Sequence, residues 1–187
     1  MMNKTITAAC AALALALTTV HPAGAAETYK IGPDNSKVLF KIDNKAPGAS
    51  DYMSVPGSFK EFSGTWVMGT DPAKNSVEME VQTTSVDTAN ERRDNHLRNQ
   101  DFFKVKEFPT MTFKSTSFKK VADDTFEVTG DFTLLGKTKP VKVSFKKTGA
   151  HAGTATFRIK RSEFGMTFRV PDTADEVDVT LEIAGAK

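Results

Sequence analysis

The sequence predicts an all-β domain: eight antiparallel strands, with one short helix inserted between strands 3 and 4. Three observations carry this. Apolar and polar residues alternate with period two through most of the chain, as on strands that bury one face. Clusters of Gly, Pro, Asn and Asp punctuate the alternation at turn spacing. One stretch, starting at Thr88, breaks it with a polar run in which the next dozen residues lack Gly, Pro and β-branched side chains.

The first strand, Ser36 to Asp43, sets Val38, Phe40 and Ile42 against Lys37, Lys41 and Asp43, with Leu39 out of step. Asn44 to Pro56 then reads as a long loop around Tyr52, Met53 and Val55, and loops of that length are usually functional or disordered. The second strand, Ser58 to Met68, places Phe62, Gly64, Trp66 and Met68 on one side; Phe59 falls on the other unless a bulge intervenes. After a turn at Asp71-Pro72 and Lys74-Asn75, the third strand, Ser76 to Thr84, turns Val77, Met79 and Val81 inward.

Thr88 followed three residues later by Glu91 has the capping-box pattern, so a polar helix of about three turns is expected from this point. Leu97 is almost its only apolar residue before Phe102 and Phe103, too few for a helix lying along a core. It reads as a plug or lid anchored by the aromatic pair. Pro109 ends the helical stretch, and the fourth strand faces Met111, Phe113 and Ser115 inward.

The fifth strand, Thr125 to Leu135, alternates most cleanly, with Phe126, Val128, Gly130, Phe132 and Leu134 inside. Gly136-Lys137 turns into the sixth, with Val141, Val143 and Phe145. The seventh carries Ala155, Phe157 and Ile159, and the eighth Val177, Val179, Leu181 and Ile183. Such strands bury their apolar faces as a closed barrel or a sandwich, and a barrel also removes exposed edges. An outer-membrane barrel would turn Glu78, Glu80, Glu127, Asp131, Lys142 and Lys146 into a narrow lumen, an expensive cluster with no pairing scheme.

Residues 1–26 read as a secretory leader: one lysine, an apolar run from Ala8 to Leu17, and Ala23-Gly24-Ala25 fitting the cleavage pattern. The run is too short for a membrane span, and no later segment approaches the length needed, so no stable membrane insertion is expected. Cleavage removes the only cysteine, Cys10, and leaves 24 basic against 23 acidic residues over 27–187. That near neutrality argues against a nucleic-acid partner. With no linker, repeat or low-complexity segment, 27–187 is read as one domain.

The run Arg93-Asp94-x-His96-Leu97, then Phe102-Phe103, Pro109 and Phe113-Lys-Ser115, resembles the signature of the YceI-like family of bacterial secreted lipid-binding proteins. The resemblance continues through Val128-Thr-Gly-Asp-Phe-Thr-Leu-Leu-Gly136, Lys139-Pro-Val141 and Arg161-Ser-Glu-Phe-Gly165, spanning nearly the whole of 27–187. It implies a lipocalin-like barrel that is periplasmic and holds an amphiphilic lipid. The ligand implied first is a polyisoprenoid, a prenyl diphosphate or an isoprenoid quinone; a fatty-acid derivative comes second. A homodimer is left open.

The expected lipid-facing set is Phe40, Phe62, Trp66, Met68, Met79, Met111, Phe113, Phe126, Phe132, Phe145 and Phe157, with Phe102 and Phe103 at the lid. Each of these also suits a plain packed core, and the alternative function is a stress-related interaction protein whose barrel is filled by its own side chains. Gly64, Gly130, Ala155 and Ser115 on the same face favour a continuous channel, although they can equally interdigitate with the large residues.

Arg93 and Asp94 are open to two roles, a head-group contact or salt bridges tying the helix to the barrel rim. Arg161 likewise suits either an anionic head group or a structural tether. His96 reads as a surface or hydrogen-bonded residue, because His151 is the only other histidine after the leader and no metal-spacing cluster exists. No cofactor is expected. No nucleophile elbow or phosphate loop is present, so the protein is expected not to be an enzyme.

Overall fold

A computed structural model of the protein describes residues 26–186. The expected leader, Cys10 included, lies outside the described residues except for Ala26. Eleven strands form: β1 (Glu27–Ile31), β2 (Ser36–Lys45), β3 (Tyr52–Phe59), β4 (Phe62–Met68), β5 (Ser76–Gln82), β6 (Val86–Asp87), β7 (Thr110–Ala122), β8 (Thr125–Leu134), β9 (Lys137–Gly149), β10 (Ala152–Lys160) and β11 (Thr173–Ala184). One α-helix among the described residues, α1 (Glu91–Leu97), stands between β6 and β7.

All the strand pairings are antiparallel within one sheet, ordered β1-β4-β5-β7-β8-β9-β10-β11-β2-β3-β6. The sheet curls into a barrel-like form. At one edge Lys30 and Ala186 exchange backbone bonds of 2.7 and 3.1 Å, joining β1 to the chain just beyond β11. Near the other, Lys60 N–H donates to Ser85 O and Gln82 N–H to Glu61 O, stitching the corner between β3 and β4 to the end of β5.

The count of eight expected strands is thus corrected to eleven. The expected eight correspond to β2, β4, β5 and β7 to β11, and the additions are β1, β3 and β6. β3 escaped the pattern because it contains Pro56 and Gly57 and leaves Tyr52, Met53, Ser54 and Pro56 exposed, so it shows no apolar alternation. The loop expected from Asn44 to Pro56 shrinks to 46–51, the tip of a β2–β3 hairpin. Phe59 and Phe62 both face inward because the chain turns a corner at Lys60-Glu61 and changes strands.

The interior is aromatic and aliphatic. Trp66, Met79, Val81, Phe126, Val128, Phe132, Leu134, Val143, Phe145, Ala155 and Ile183 are all buried, on the faces that alternation assigns them. Burying a side chain of this size contributes about 1.5–3 kcal/mol. In β7 a register shift between Ser115 and Ser117 moves Phe118 to the inner face, and the Ser115 hydroxyl accepts from Val77 N–H across the irregularity.

Candidate functional site

The curled sheet does not fill. A chamber of about 290 Å³ lies inside it, close to the lower bound of roughly 300 Å³ for small-molecule sites. Phe40, Trp66, Met79, Met111, Phe113, Phe132, Phe145 and Phe157 line it, as do Phe102 and Phe103 from the segment after α1. Phe62, Met68 and Phe126 do not. These three lie at or near strand ends and have other partners: Phe126 packs against Phe145 with ring centroids 6.2 Å apart, and the Met68 sulfur accepts from Asn75 Nδ2. Period-two parity assigns a face and says nothing of position along the axis.

Glycines pair with large rings, the interdigitation that is one of the two arrangements expected for the small residues. A β-carbon on Gly130 would lie 2.4 Å from Phe113 Cζ, on Gly153 2.3 Å from Phe145 Cε2, and on Gly57 2.2 Å from Phe40 Cζ. The glycines are therefore not gaps in the lumen. They let large rings settle onto the wall, which leaves the axis clear.

Three segments frame one end of the chamber. Asn44 and Val55 come from the β2–β3 hairpin, Thr88, Arg93, His96 and Leu97 from α1 and its approach, and Met166 and Arg169 from the loop between β10 and β11. The last of these was not foreseen as part of the mouth. It is clipped to the hairpin: Tyr52 OH donates to Pro171 O at 3.0 Å, Arg169 Nη2 to Lys45 O at 3.0 Å, and Lys45 N–H to Asp172 O at 2.6 Å. Phe168 extends this loop to α1, its ring edge-on to His96 and to Phe102, each at 5.4 Å between centroids.

The helix differs from expectation in length and cap. It has seven residues, and Asn90, not Thr88, caps it, the Asn90 side chain accepting from Arg93 N–H at 3.0 Å. Thr88 has another partner. Its N–H and hydroxyl both donate to the buried Asp94 carboxylate, and its own oxygens accept from Arg93 Nε and Nη2. Arg93 and Asp94 thus make a local knot on Thr88 and, among the described residues, form no salt bridge to the rim.

The rim tether is Arg98, which donates to Thr84 O at 2.8 Å and Val86 O at 2.9 Å. Sequence reasoning passed over it, although its place at the helix C-terminus was visible. His96 hydrogen-bonds Asp101 at 2.8 Å on the surface while its ring reaches the chamber. Leu97 packs against the core and lines the chamber.

Arg161 is 1% exposed, and its guanidinium donates to the carbonyls of Ala174, Met166 and Thr173 at 2.9, 3.0 and 2.7 Å. It tethers the β10–β11 loop and also lines the chamber. Burial pushes its pKa down, with Asp175 opposing the shift. The residues lining the chamber that sequence reasoning did not select include Phe59 and Phe118, hidden by the β3–β4 corner and the β7 irregularity.

Comparison with known proteins gives consistent matches. A YceI-like domain model matches residues 29–185. The chain is 36% identical over 174 residues to Protein YceI of Escherichia coli O17:K52:H18, covering 87% of this chain and 88% of that one. The crystal structure of Burkholderia cenocepacia BcnA superposes with a TM-score of 0.71 at 24% identity, covering 84% of this chain and 99% of the other. A structure described as a polyisoprenoid binding domain from Saccharophagus degradans, implicated in plant cell wall breakdown, has a TM-score of 0.57 at 15% identity, with coverage of 84% and 99%.

Proposed function

The chain belongs to the YceI-like family, and from that premise and the chamber we propose that the protein binds one amphiphilic lipid, tail inside and head at the mouth. The single observation that carries this is a mainly apolar chamber with Asn44, Thr88, Arg93, His96 and Arg169 among its lining residues, from the three segments that frame one end. The tail class proposed is a polyisoprenoid, in keeping with the binding domain described for the Saccharophagus degradans structure.

The physical basis is solvent exclusion. Each methylene moved from water contributes about 0.8 kcal/mol, so ten give roughly 8 kcal/mol before ordering costs are subtracted. Affinity then needs no precise polar contact along the tail. The open chamber speaks against a barrel filled by its own side chains. In this reading the protein acts in the periplasm, delivered by the leader, and carries or sequesters lipid without chemical turnover.

Trp66 is the only tryptophan and lines the chamber, so its emission reports occupancy. Titration with a prenyl lipid should change that emission saturably and raise the melting temperature by mass action. Absence of both responses with prenyl diphosphates, quinones and fatty acids would reject the reading.

A further inference from the structure

We propose that the rim of the chamber mouth is a docking surface for a lipid leaflet, entered through Tyr52 and Met53 of the β2–β3 hairpin and Phe168 and Val170 of the β10–β11 loop. The inference goes beyond the tail-in-chamber reading and rests on it only for the route of lipid entry.

Among the described residues, five large apolar side chains stand exposed: Met53 at 70%, Val121 at 56%, Tyr52 at 50%, Val170 at 41% and Phe168 at 36%. Four of them are at one end of the sheet. There the exposed, uncharged run 46–50, Ala-Pro-Gly-Ala-Ser, forms the tip of the hairpin. Val121 is at the other end, beside the β7–β8 turn, whereas the end of β2 and the starts of β3 and β11 meet at the mouth.

The four side chains make one rim. Tyr52 OH donates to Pro171 O at 3.0 Å, which fastens the hairpin to the loop while half of the tyrosine stays exposed. Phe168 meets His96 and Phe102, both of which line the chamber. Met53 lines an adjoining pocket of about 210 Å³ that shares Asn44, Val55 and Arg93 with the chamber. Apolar side chains held outward around an opening mark an interaction surface. A tyrosine with its hydroxyl satisfied and its ring in the open suits a head-group layer.

Two observations favour a leaflet over a protein partner. A stable protein interface takes about 20–30 residues a side, whereas this apolar surface is confined to two narrow segments around an opening. That opening leads to the chamber, and a tail passing from leaflet to chamber stays out of water only when the rim is seated on the leaflet. Charge does not select the lipid. Residues 43–56 and 166–172 carry Lys45 and Arg169 against Asp43, Asp51 and Asp172, so the contact is apolar and a neutral leaflet suffices.

The test is cosedimentation with phosphatidylcholine vesicles. The protein should bind them, with little change on adding phosphatidylglycerol or salt. Met53→Asp should lower the partition coefficient at least about tenfold, and Val121→Asp, at the far end, should leave it unchanged. In the wild type, vesicles should slow amide exchange at 46–53 and 167–170, a readout that decides even where a variant fails to fold. Absence of vesicle binding, binding to phosphatidylglycerol vesicles alone, an equal loss with Val121→Asp, or protection confined to other segments overturns the inference. A lipid-free dimer abolished by Met53→Asp would mean that a second copy covers the rim, and also overturns it. Trp66 titration with a soluble prenyl lipid decides the tail reading separately: saturation there without vesicle binding rejects the docking rim alone, and vesicle binding as specified without a Trp66 response rejects the tail reading alone.

Discussion

The Phe40 ring on β2 lies directly over Gly57 on β3, its cross-strand partner, so closely that a β-carbon there would stand 2.2 Å from Cζ. The glycine is a seat for the ring, and the ring on its seat is wall instead of plug. Gly57→Ala should therefore drive Phe40 toward the axis, destabilising the protein by about 1–3 kcal/mol through overpacking and weakening ligand binding. Urea unfolding and Trp66 titration of the same variant measure both effects. A stable variant with unchanged affinity would mean that the ring finds room elsewhere.

Chamber volume can be removed without touching the mouth. Ala155 is buried on β10 and lines the chamber, facing Phe145 on β9. Ala155→Phe should abolish the lipid-dependent rise in melting temperature while the far-UV circular dichroism stays that of a β protein. Retained lipid stabilisation would show that the tail does not lie where the chamber is.

Arg98 holds α1 onto Thr84 O and Val86 O. Arg98→Ala should cost about 1.5–3 kcal/mol if both charge-assisted bonds are lost without replacement, with amide exchange in 91–97 accelerating more than in β8 or β9. Uniform acceleration across the sheet would make Arg98 a global stabiliser and not a lid tether.

The Arg158 fork on Asp178, at 2.6 and 3.1 Å, holds that carboxyl below its ordinary value of about 3.9. Because the folded-state pKa is depressed, the pair's stabilisation is present above the unfolded value and disappears as pH falls through the folded one. Asp178→Asn should thus be less stable than wild type at neutral pH, the difference closing as pH falls through the carboxyl's depressed folded-state value. Urea midpoints at neutral pH and below that value check this; a gap independent of pH would contradict it.

Most of the sheet was legible because strands bury one face more deeply than the other, as β8 does from Phe126 to Leu134, where buried residues alternate with half-buried or exposed ones. Elements without that contrast were not. β3 exposes most of its side chains, and β6 has only two residues. The candidate lining was legible as a face but not as a place: Phe62 and Phe126 have the right parity and the wrong axial position, whereas Phe118 arrives through a register shift.

The helix was found but its cap was misassigned, since Asn90 and Thr88 both carry oxygens suited to capping and only the fold engages Thr88 with Asp94. The role of the β10–β11 loop at the mouth depends on contacts across more than a hundred residues, such as Tyr52 to Pro171, which no local pattern announces.

The most direct test of the central claim is native mass spectrometry of the protein purified without detergent from cells that secrete it, followed by solvent extraction and identification of any released lipid. One isoprenoid lipid per chain is the predicted result. A clean apo mass, unchanged after incubation with prenyl diphosphates, quinones and fatty acids, would contradict it.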